Sequence, residues 1–139
     1  MGEIHDGSCL CGAVRFRAHG ALREIVACHC AQCRKQTGLF YAATNVKRTD
    51  LTIEGEEAMT WYAASNFARR GFCATCGSAM FWQENDGVWI SILAGSFDTP
   101  LEGKIGRHIF CEGRAQFYDI EDGAPQYQKG SPGLSVAPT

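Results

Sequence analysis

Cysteine is the residue type in this chain whose number and spacing indicate a chemical site. Seven of its eight cysteines lie in three groups: the first pair (Cys9 and Cys11), the triplet (Cys28, Cys30 and Cys33) and the second pair (Cys73 and Cys76). Thiolates this close in sequence can converge on one zinc ion, which takes four ligands in a tetrahedron at about 2.3 Å. A glycine follows each pair and permits the tight turn of a metal-binding knuckle. The spacing therefore predicts zinc binding.

Ligand number divides these cysteines into a group of four and a group of three. The first and second pairs each lack two ligands, so together they would close a tetrahedral site. The triplet would then keep one open position, as catalytic zinc sites do for water or substrate. Other arrangements stay open, because the first pair could join two members of the triplet, and Cys111 or His29 could close the triplet as a structural site. A thioredoxin-like redox pair is disfavoured, since no βαβ pattern is visible.

The elements that must position these cysteines are predicted to be mainly short strands. The segments rich in alternating, β-branched or aromatic residues are 14–18, 40–46, 59–63, 67–72, 79–83, 88–93, 108–111 and 115–118. One short helix is expected over 31–36, ended at Gly38 by a left-handed turn. We therefore predict a mainly β domain over 1–127 with little helix. A loose tail rich in Ser, Pro and Gly is expected over 128–139.

Composition limits the classes of function. The 139 residues suit one domain, and 45% hydrophobic with 20% charged residues is typical of a soluble globular protein. A net charge of -2 without a basic cluster argues against binding to nucleic acid or to an anionic membrane. The first ten residues lack a secretory signal pattern, and no apolar run approaches the roughly 20 residues that span a bilayer. We expect a cytoplasmic protein, whose reduced cysteines serve metal binding or catalysis.

The cysteine motifs, with a segment downstream of them, make the sequence recognisable. The chain contains, in this order, GSCLCGAVRF, CHCAQCRKQTG, FCATCGSAMF and RHIFCEGRAQFYDIEDGAPQY. These motifs resemble, in order and spacing, those of the glutathione-dependent formaldehyde-activating enzyme family, which includes centromere protein V. The resemblance covers residues 7 to about 127. The chain departs from it at Phe117, where many relatives have Trp, and at Cys111, a strand position where relatives usually have an apolar residue.

The resemblance implies a fold, a ligand set and an activity. The implied fold is an all-β, zinc-stapled β-tent, a single domain of short antiparallel strands. The implied structural zinc ligands are Cys9, Cys11, Cys73 and Cys76, and the implied catalytic zinc ligands are Cys28, Cys30 and Cys33. The implied reaction adds glutathione to formaldehyde to give S-hydroxymethylglutathione, a carbon–sulfur lyase reaction, so the partners are a small thiol and a small aldehyde. A non-catalytic zinc-binding interaction module of the same fold is the alternative.

Zinc at the triplet could support this chemistry in two ways, by holding the incoming thiol as thiolate or by polarising the aldehyde oxygen. Three anionic sulfur ligands weaken its Lewis acidity, so we favour capture and orientation of the thiol. Arg34 and Lys35 follow the triplet and could pair with the carboxylates of glutathione, or form a solvated helix face. His108 could be a general base, a partner of the metal site or a structural residue. A monomer and a weak homodimer both remain open.

Overall fold

The computed structural model of this protein describes residues 2–131. One α-helix and ten strands lie within them: β1 (Ile4–Ser8), β2 (Arg15–His19), β3 (Ile25–Cys28), α1 (Ala31–Thr37), β4 (Tyr41–Lys47), β5 (Leu51–Glu54), β6 (Met59–Tyr62), β7 (Ala68–Cys73), β8 (Ala79–Glu84), β9 (Trp89–Leu93) and β10 (Ile105–Ile109). The prediction of a mainly β fold with little helix is confirmed. No helix in this part of the chain has the length and apolar character needed to cross a membrane.

The described chain forms two compact units. The first takes the residues up to Arg23 and then Thr44–Glu102, and the second takes Glu24–Ala43 and the residues from Gly103 onward. The chain changes unit three times, after Arg23, after Ala43 and after Glu102. Both pairs of cysteines belong to the first unit and the triplet belongs to the second, so each predicted metal site is built inside one unit.

The first unit is built from antiparallel strands. β2 pairs with β1 and β5 in one sheet, and β6, β7, β8 and β9 follow one another as neighbours in the other. Alternating residues of β2 turn Phe16 inward, where its ring meets that of Phe81 at 5.6 Å between centroids. Cys9 and Cys73 belong to the same buried cluster, with 5% and 0% of their surface exposed. The knuckles that carry these cysteines are therefore anchored in the apolar core.

The second unit is organised around β3, which pairs antiparallel with β4 and parallel with β10. The parallel register places His108 opposite Ala27 and Ile109 opposite Cys28. Helix α1 begins directly after Cys30 and ends at Gly38, whose φ of 87° is left-handed. The predicted helix and its glycine terminus are confirmed, and the triplet lies at the junction of β3 and α1.

Most strand predictions, made from alternation or from aromatic and β-branched residues, are confirmed. Six predicted strands are present within about a residue of their expected bounds, namely β2, β4, β6, β7, β8 and β9. Strands β1, β3 and β5 were not predicted; they are only four or five residues long, and each pairs with a neighbouring strand.

Two predictions near the end of the chain were wrong. The strand expected over 108–111 stops at Ile109, because Phe110 adopts a left-handed φ of 53° and a 3-10 turn begins at Cys111. Cys111 is therefore not a strand residue. The segment 115–118 is also not a strand, since the Arg114 guanidinium, rather than a neighbouring strand, donates to the carbonyl oxygens of Ala115 and Tyr118.

The predicted tail over 128–139 lies outside the described residues from 132 onward. Its first residues are held by the second unit. The backbone N–H of Phe110 donates to the Lys129 carbonyl oxygen at 2.9 Å, and Arg107 Nη1 donates to Ser131 Oγ at 2.9 Å.

Candidate metal centres and active site

Four thiols of the first unit converge at one point. The Sγ atoms of the first and second pairs all lie within 4.8 Å of one another. Those of Cys9 and Cys11 are 3.7 Å apart, and those of Cys11 and Cys73 are 3.8 Å apart. A tetrahedron with zinc–sulfur bonds of about 2.3 Å has edges of about 3.8 Å. Spacing and donor type therefore both fit a closed zinc site.

Two tight turns deliver these thiols. In the first, the Gly12 N–H donates to the Cys9 carbonyl oxygen at 3.1 Å, and the Val14 N–H donates to Cys9 Sγ at 3.3 Å. In the second, the Gly77 N–H donates to the Cys73 carbonyl oxygen at 2.8 Å. Both glycines have a left-handed φ, of 81° and 79°, which only glycine adopts without strain. The glycines after each pair thus have the role that the sequence indicated.

Ser78 supports the second turn and was not predicted. Its Oγ lies 3.2 Å from Cys76 Sγ and accepts a hydrogen bond from the Leu10 N–H at 3.0 Å. Hydrogen bonding with Ser78 lowers the pKa of Cys76 to about 5, which favours the thiolate that a metal requires. In the sequence, this role could have been inferred from the hydroxyl of Ser78, two positions after the candidate ligand Cys76.

Three thiols of the second unit also converge, and all three are buried. Cys28 ends β3, Cys30 is the N-cap of α1 and Cys33 lies in the first turn of that helix. The Cys33 N–H donates to Cys30 Sγ at 3.4 Å, so one thiol serves as helix cap and candidate ligand. Within residues 2–131, no other Cys, His, Asp or Glu joins this cluster, so neither Cys111 nor His29 closes it.

Crowding of the three thiols would favour a cation at the triplet. Hydrogen bonds with Cys30 and Cys33, together with burial, raise the pKa of Cys28 above its ordinary value. Three thiolates in this buried space would repel one another, and a divalent cation would offset that repulsion. Sulfur donors select soft or borderline metals, so the donor set fits zinc with three protein ligands.

The turn at Cys111–Gly113 packs against the triplet. A Cβ atom at Gly113 would lie 3.3 Å from the His29 carbonyl oxygen and 3.4 Å from Cys30 Cα, so the two backbones are in close contact. Arg34 Nη1 donates to the Gly113 carbonyl oxygen at 3.4 Å. Cys111 is half-buried in this turn, and burial raises its pKa. Its thiol lies outside the cluster and is not a candidate ligand.

A line of hydrogen bonds runs beside the triplet. Tyr118 Oη lies 2.5 Å from His29 Nδ1, His29 Nε2 lies 2.8 Å from His108 Nδ1, and His108 Nε2 lies 2.8 Å from Asp122 Oδ2. The two imidazoles are 1% and 2% exposed. Burial, followed by the charges of His108 and Arg114, lowers the pKa of His29 to about 4. Both ring nitrogens of His29 thus contact members of this network, and neither joins the thiol cluster.

Aromatic rings enclose the same region. The His29 ring stacks on Tyr118 at 5.6 Å between centroids and lies 5.0 Å from Phe40. The Arg114 guanidinium stands 5.6 Å from the centre of the Tyr118 ring. Burial, opposed in part by the charge of Arg114, raises the pKa of Tyr118. These residues come from three separate segments, so spacing in the sequence could not bring them together.

The predicted substrate-binding residues occupy different environments. Arg34 is half-buried against the Cys111–Gly113 turn, whereas Lys35 is exposed on α1. His108 is buried and hydrogen-bonded at both nitrogens, to His29 and to Asp122. It thus has the contacts of a residue that supports the site rather than those of an exposed base.

Comparisons with known proteins agree with these features. The model of the glutathione-dependent formaldehyde-activating enzyme family matches residues 4–113. A Halomonas elongata protein, provisionally named as such an enzyme, is 30% identical over 129 residues, which cover 84% of this chain and 80% of that protein. An uncharacterized lyase of Schizosaccharomyces pombe is 30% identical over 83 residues. That match covers 60% of this chain and 60% of the yeast protein.

A solved structure supports the fold. The crystal structure of a Rhodobacter sphaeroides protein superposes with a TM-score of 0.59 at 24% identity, covering 72% of this chain and 96% of that one. At this identity the likeness concerns the fold alone. The match to the family model extends over both cysteine clusters. The chain is therefore a member of the glutathione-dependent formaldehyde-activating enzyme family, whose named relatives are described as lyases or formaldehyde-activating enzymes.

Proposed function

We propose that this protein is a zinc-dependent carbon–sulfur lyase that joins a small thiol, such as glutathione, to a small aldehyde, such as formaldehyde. The observation that carries this proposal is the cluster of three buried thiols, in a member of this family, to which no fourth ligand side chain of residues 2–131 is added. In the proposed reaction the carbon–sulfur bond forms, the carbonyl π bond breaks, and the thiol proton ends on the aldehyde oxygen.

The two cysteine clusters take different parts in this proposal. The four thiols of the first unit would hold a structural zinc that ties two distant segments together. The three thiols of the second unit would hold the catalytic zinc (Cys28, Cys30 and Cys33). A zinc ion there would supply a Lewis-acidic position that favours the thiolate form of the incoming thiol. The protein's own part is to fix that position, to orient the thiol and to exclude water.

Arg34 and Lys35 are the proposed partners of the substrate carboxylates. Arg34 lies beside the triplet, because it donates to Gly113, which itself contacts Cys30. A guanidinium can hold a carboxylate with two hydrogen bonds, whereas the exposed ammonium of Lys35 would add a weaker, longer-range attraction. His108 would act through His29 rather than touch the substrate. We place the reaction in the cytoplasm, where thiols are reduced.

Replacement of one triplet ligand tests the proposal. We expect Cys30→Ser to retain the fold, because serine is a good N-cap, and to lose both one zinc per chain and all turnover. Cys111→Ser is the matched control, since it removes a half-buried thiol of the same unit outside the cluster. Product formation would be followed by ¹³C NMR with labelled formaldehyde and glutathione, and zinc by elemental analysis.

Two outcomes would contradict a catalytic role of the triplet. Persistent turnover by a folded Cys30→Ser variant would show that the triplet is not the catalytic centre. Two equally inert zinc ions and no turnover by the wild type would favour an interaction module instead.

Arg34→Gln should raise the KM for glutathione about tenfold, as expected for loss of a charged hydrogen bond, and Lys35→Gln should raise it by less. Equal effects of the two changes would contradict the role given to Arg34.

A further inference from the structure

The backbone at His29 and Cys30 is contacted by residues 109–118, which we call the clamp segment. The His29 N–H donates to the Ile109 carbonyl oxygen at 3.0 Å. Gly113 packs beside it, since a Cβ atom added there would lie 3.3 Å from the His29 carbonyl oxygen and 3.4 Å from Cys30 Cα. Two points of the clamp segment therefore restrain the backbone that carries one of the three candidate ligands.

The far end of the clamp segment packs on the side chain of His29. The Tyr118 ring stacks on the His29 ring with 5.6 Å between centroids and 26° between planes. The Phe40 ring completes the group, at 5.0 Å from His29 and 5.9 Å from Tyr118. The clamp segment thus contacts both the backbone and the ring of the residue that separates Cys28 from Cys30 in the chain.

Arg114 determines the course of the clamp segment before Tyr118. Its Nη1 atom donates to the Ala115 carbonyl oxygen at 3.2 Å and also to the Tyr118 carbonyl oxygen. The same guanidinium stands 5.6 Å from the centre of the Tyr118 ring, within the range of a cation–π contact. One side chain therefore binds both the backbone and the ring of Tyr118, and it fixes where that ring lies against His29.

We propose that Arg114 is a positioning residue that acts through Tyr118 to hold Cys28 and Cys30 in the geometry that binds zinc. This inference rests on the proposed function for the metal at the triplet. Residues that orient metal ligands without touching the metal typically contribute about 10- to 100-fold to its affinity. The four-thiol cluster belongs to the first unit, whereas Arg114 and the triplet belong to the second. The four-thiol site is therefore an internal control in the same molecule.

Zinc affinity provides a test that does not require turnover. Competition with a chromogenic chelator in reduced, zinc-loaded protein measures both sites, and the zinc that is missing from Cys30→Ser identifies the triplet. We expect Arg114→Gln to weaken zinc binding at the triplet about 10- to 100-fold and to leave the four-thiol site unchanged. Lys104→Gln, which removes an exposed cation of the same unit, should leave both sites unchanged. Unchanged affinity of the triplet in Arg114→Gln would overturn the proposal.

A double variant separates position from charge. Tyr118→Ala should weaken the triplet about as much as Arg114→Gln, and the two changes together should cost no more than Tyr118→Ala alone, because Arg114 acts through Tyr118. Losses that multiply in the double variant would instead show that the Arg114 charge acts on the thiolates directly, which would overturn the inference.

Nuclear Overhauser spectra of the zinc-loaded protein report the position of the ring. We expect cross-peaks between the Tyr118 and Phe40 rings in the wild type and in Lys104→Gln, and their loss in Arg114→Gln. Cross-peaks that persist in an Arg114→Gln variant with weakened zinc binding would contradict a positioning role. The expected loss of zinc affinity, together with a wild type that shows no turnover, would refute the proposed function and leave the role of Arg114 intact.

Discussion

The four-thiol cluster should act as a clip that closes a long loop. It links Cys11 to Cys73, which are 62 positions apart. The chain-entropy relation for a cross-link closing a loop of that length gives about 4 kcal/mol at 25 °C. The same relation applied to the triplet, which spans only positions 28 to 33, gives about 2 kcal/mol. Loss of the clip should therefore destabilise the protein about twice as much as loss of the triplet site.

A double variant opens the clip with little disturbance of the core. Cys11 is exposed and Cys76 is half-buried, so serine at both positions removes one ligand from each side without a cavity. We expect the free energy of unfolding of Cys11→Ser/Cys76→Ser to fall by about 4 kcal/mol. The corresponding fall in Tm is about 10–20 °C for a chain of this size.

Urea unfolding followed by far-UV circular dichroism measures this change in zinc-loaded, reduced protein, with zinc counted in parallel. Cys30→Ser is the matched control, because it removes a ligand from the other cluster and keeps a good N-cap. The reasoning fails if the double variant loses its zinc yet unfolds within about 1 kcal/mol of the wild type, since that cost is far below the loop-closure estimate. It also fails if Cys30→Ser is the less stable of the two.

Two further changes test the packing of the first unit. Phe81→Ala should cost about 3–5 kcal/mol by urea unfolding, because this fully buried ring packs against Phe16; a loss below about 1 kcal/mol would contradict its place in the core. Gly55→Ala should be clearly more destabilising than Gly20→Ala in thermal melts. Both glycines have positive φ, but a Cβ at Gly55 would lie 2.0 Å from the Ala13 carbonyl oxygen, whereas one at Gly20 meets nothing within 4 Å. Equal Tm values would show that strain alone, and not this contact, matters.

Local features were predictable because a few neighbouring residues produce them. The helix after the triplet follows from a capping residue at its start and a left-handed Gly38 at its end. Alternation located β2, and aromatic or β-branched residues located five further strands, since both signals are visible within a few neighbouring residues. The wrong strand over 115–118 shows the limit of this reasoning. Its residues favour a strand, but the Arg114 side chain binds the carbonyl oxygens that a neighbouring strand would need.

The types and spacing of the cysteines were enough to predict metal binding. Spacing identified seven candidate thiolate ligands and divided them into four and three, because zinc geometry requires ligands from tight turns. It left their pairing open, and the family resemblance implied the arrangement in which the four thiols and the three thiols now lie together.

The surroundings of the triplet, in contrast, could be seen only in the folded chain. His29 meets His108 and Tyr118, which are 79 and 89 positions away. The parallel pairing of β10 with β3 brings His108 opposite Ala27, and the left-handed Phe110 turns the chain across the site. Such contacts depend on strand register and on one unusual backbone angle, neither of which leaves a local pattern in the sequence. The candidate metal ligands could thus be found by counting, whereas the residues that pack beside the triplet required the fold.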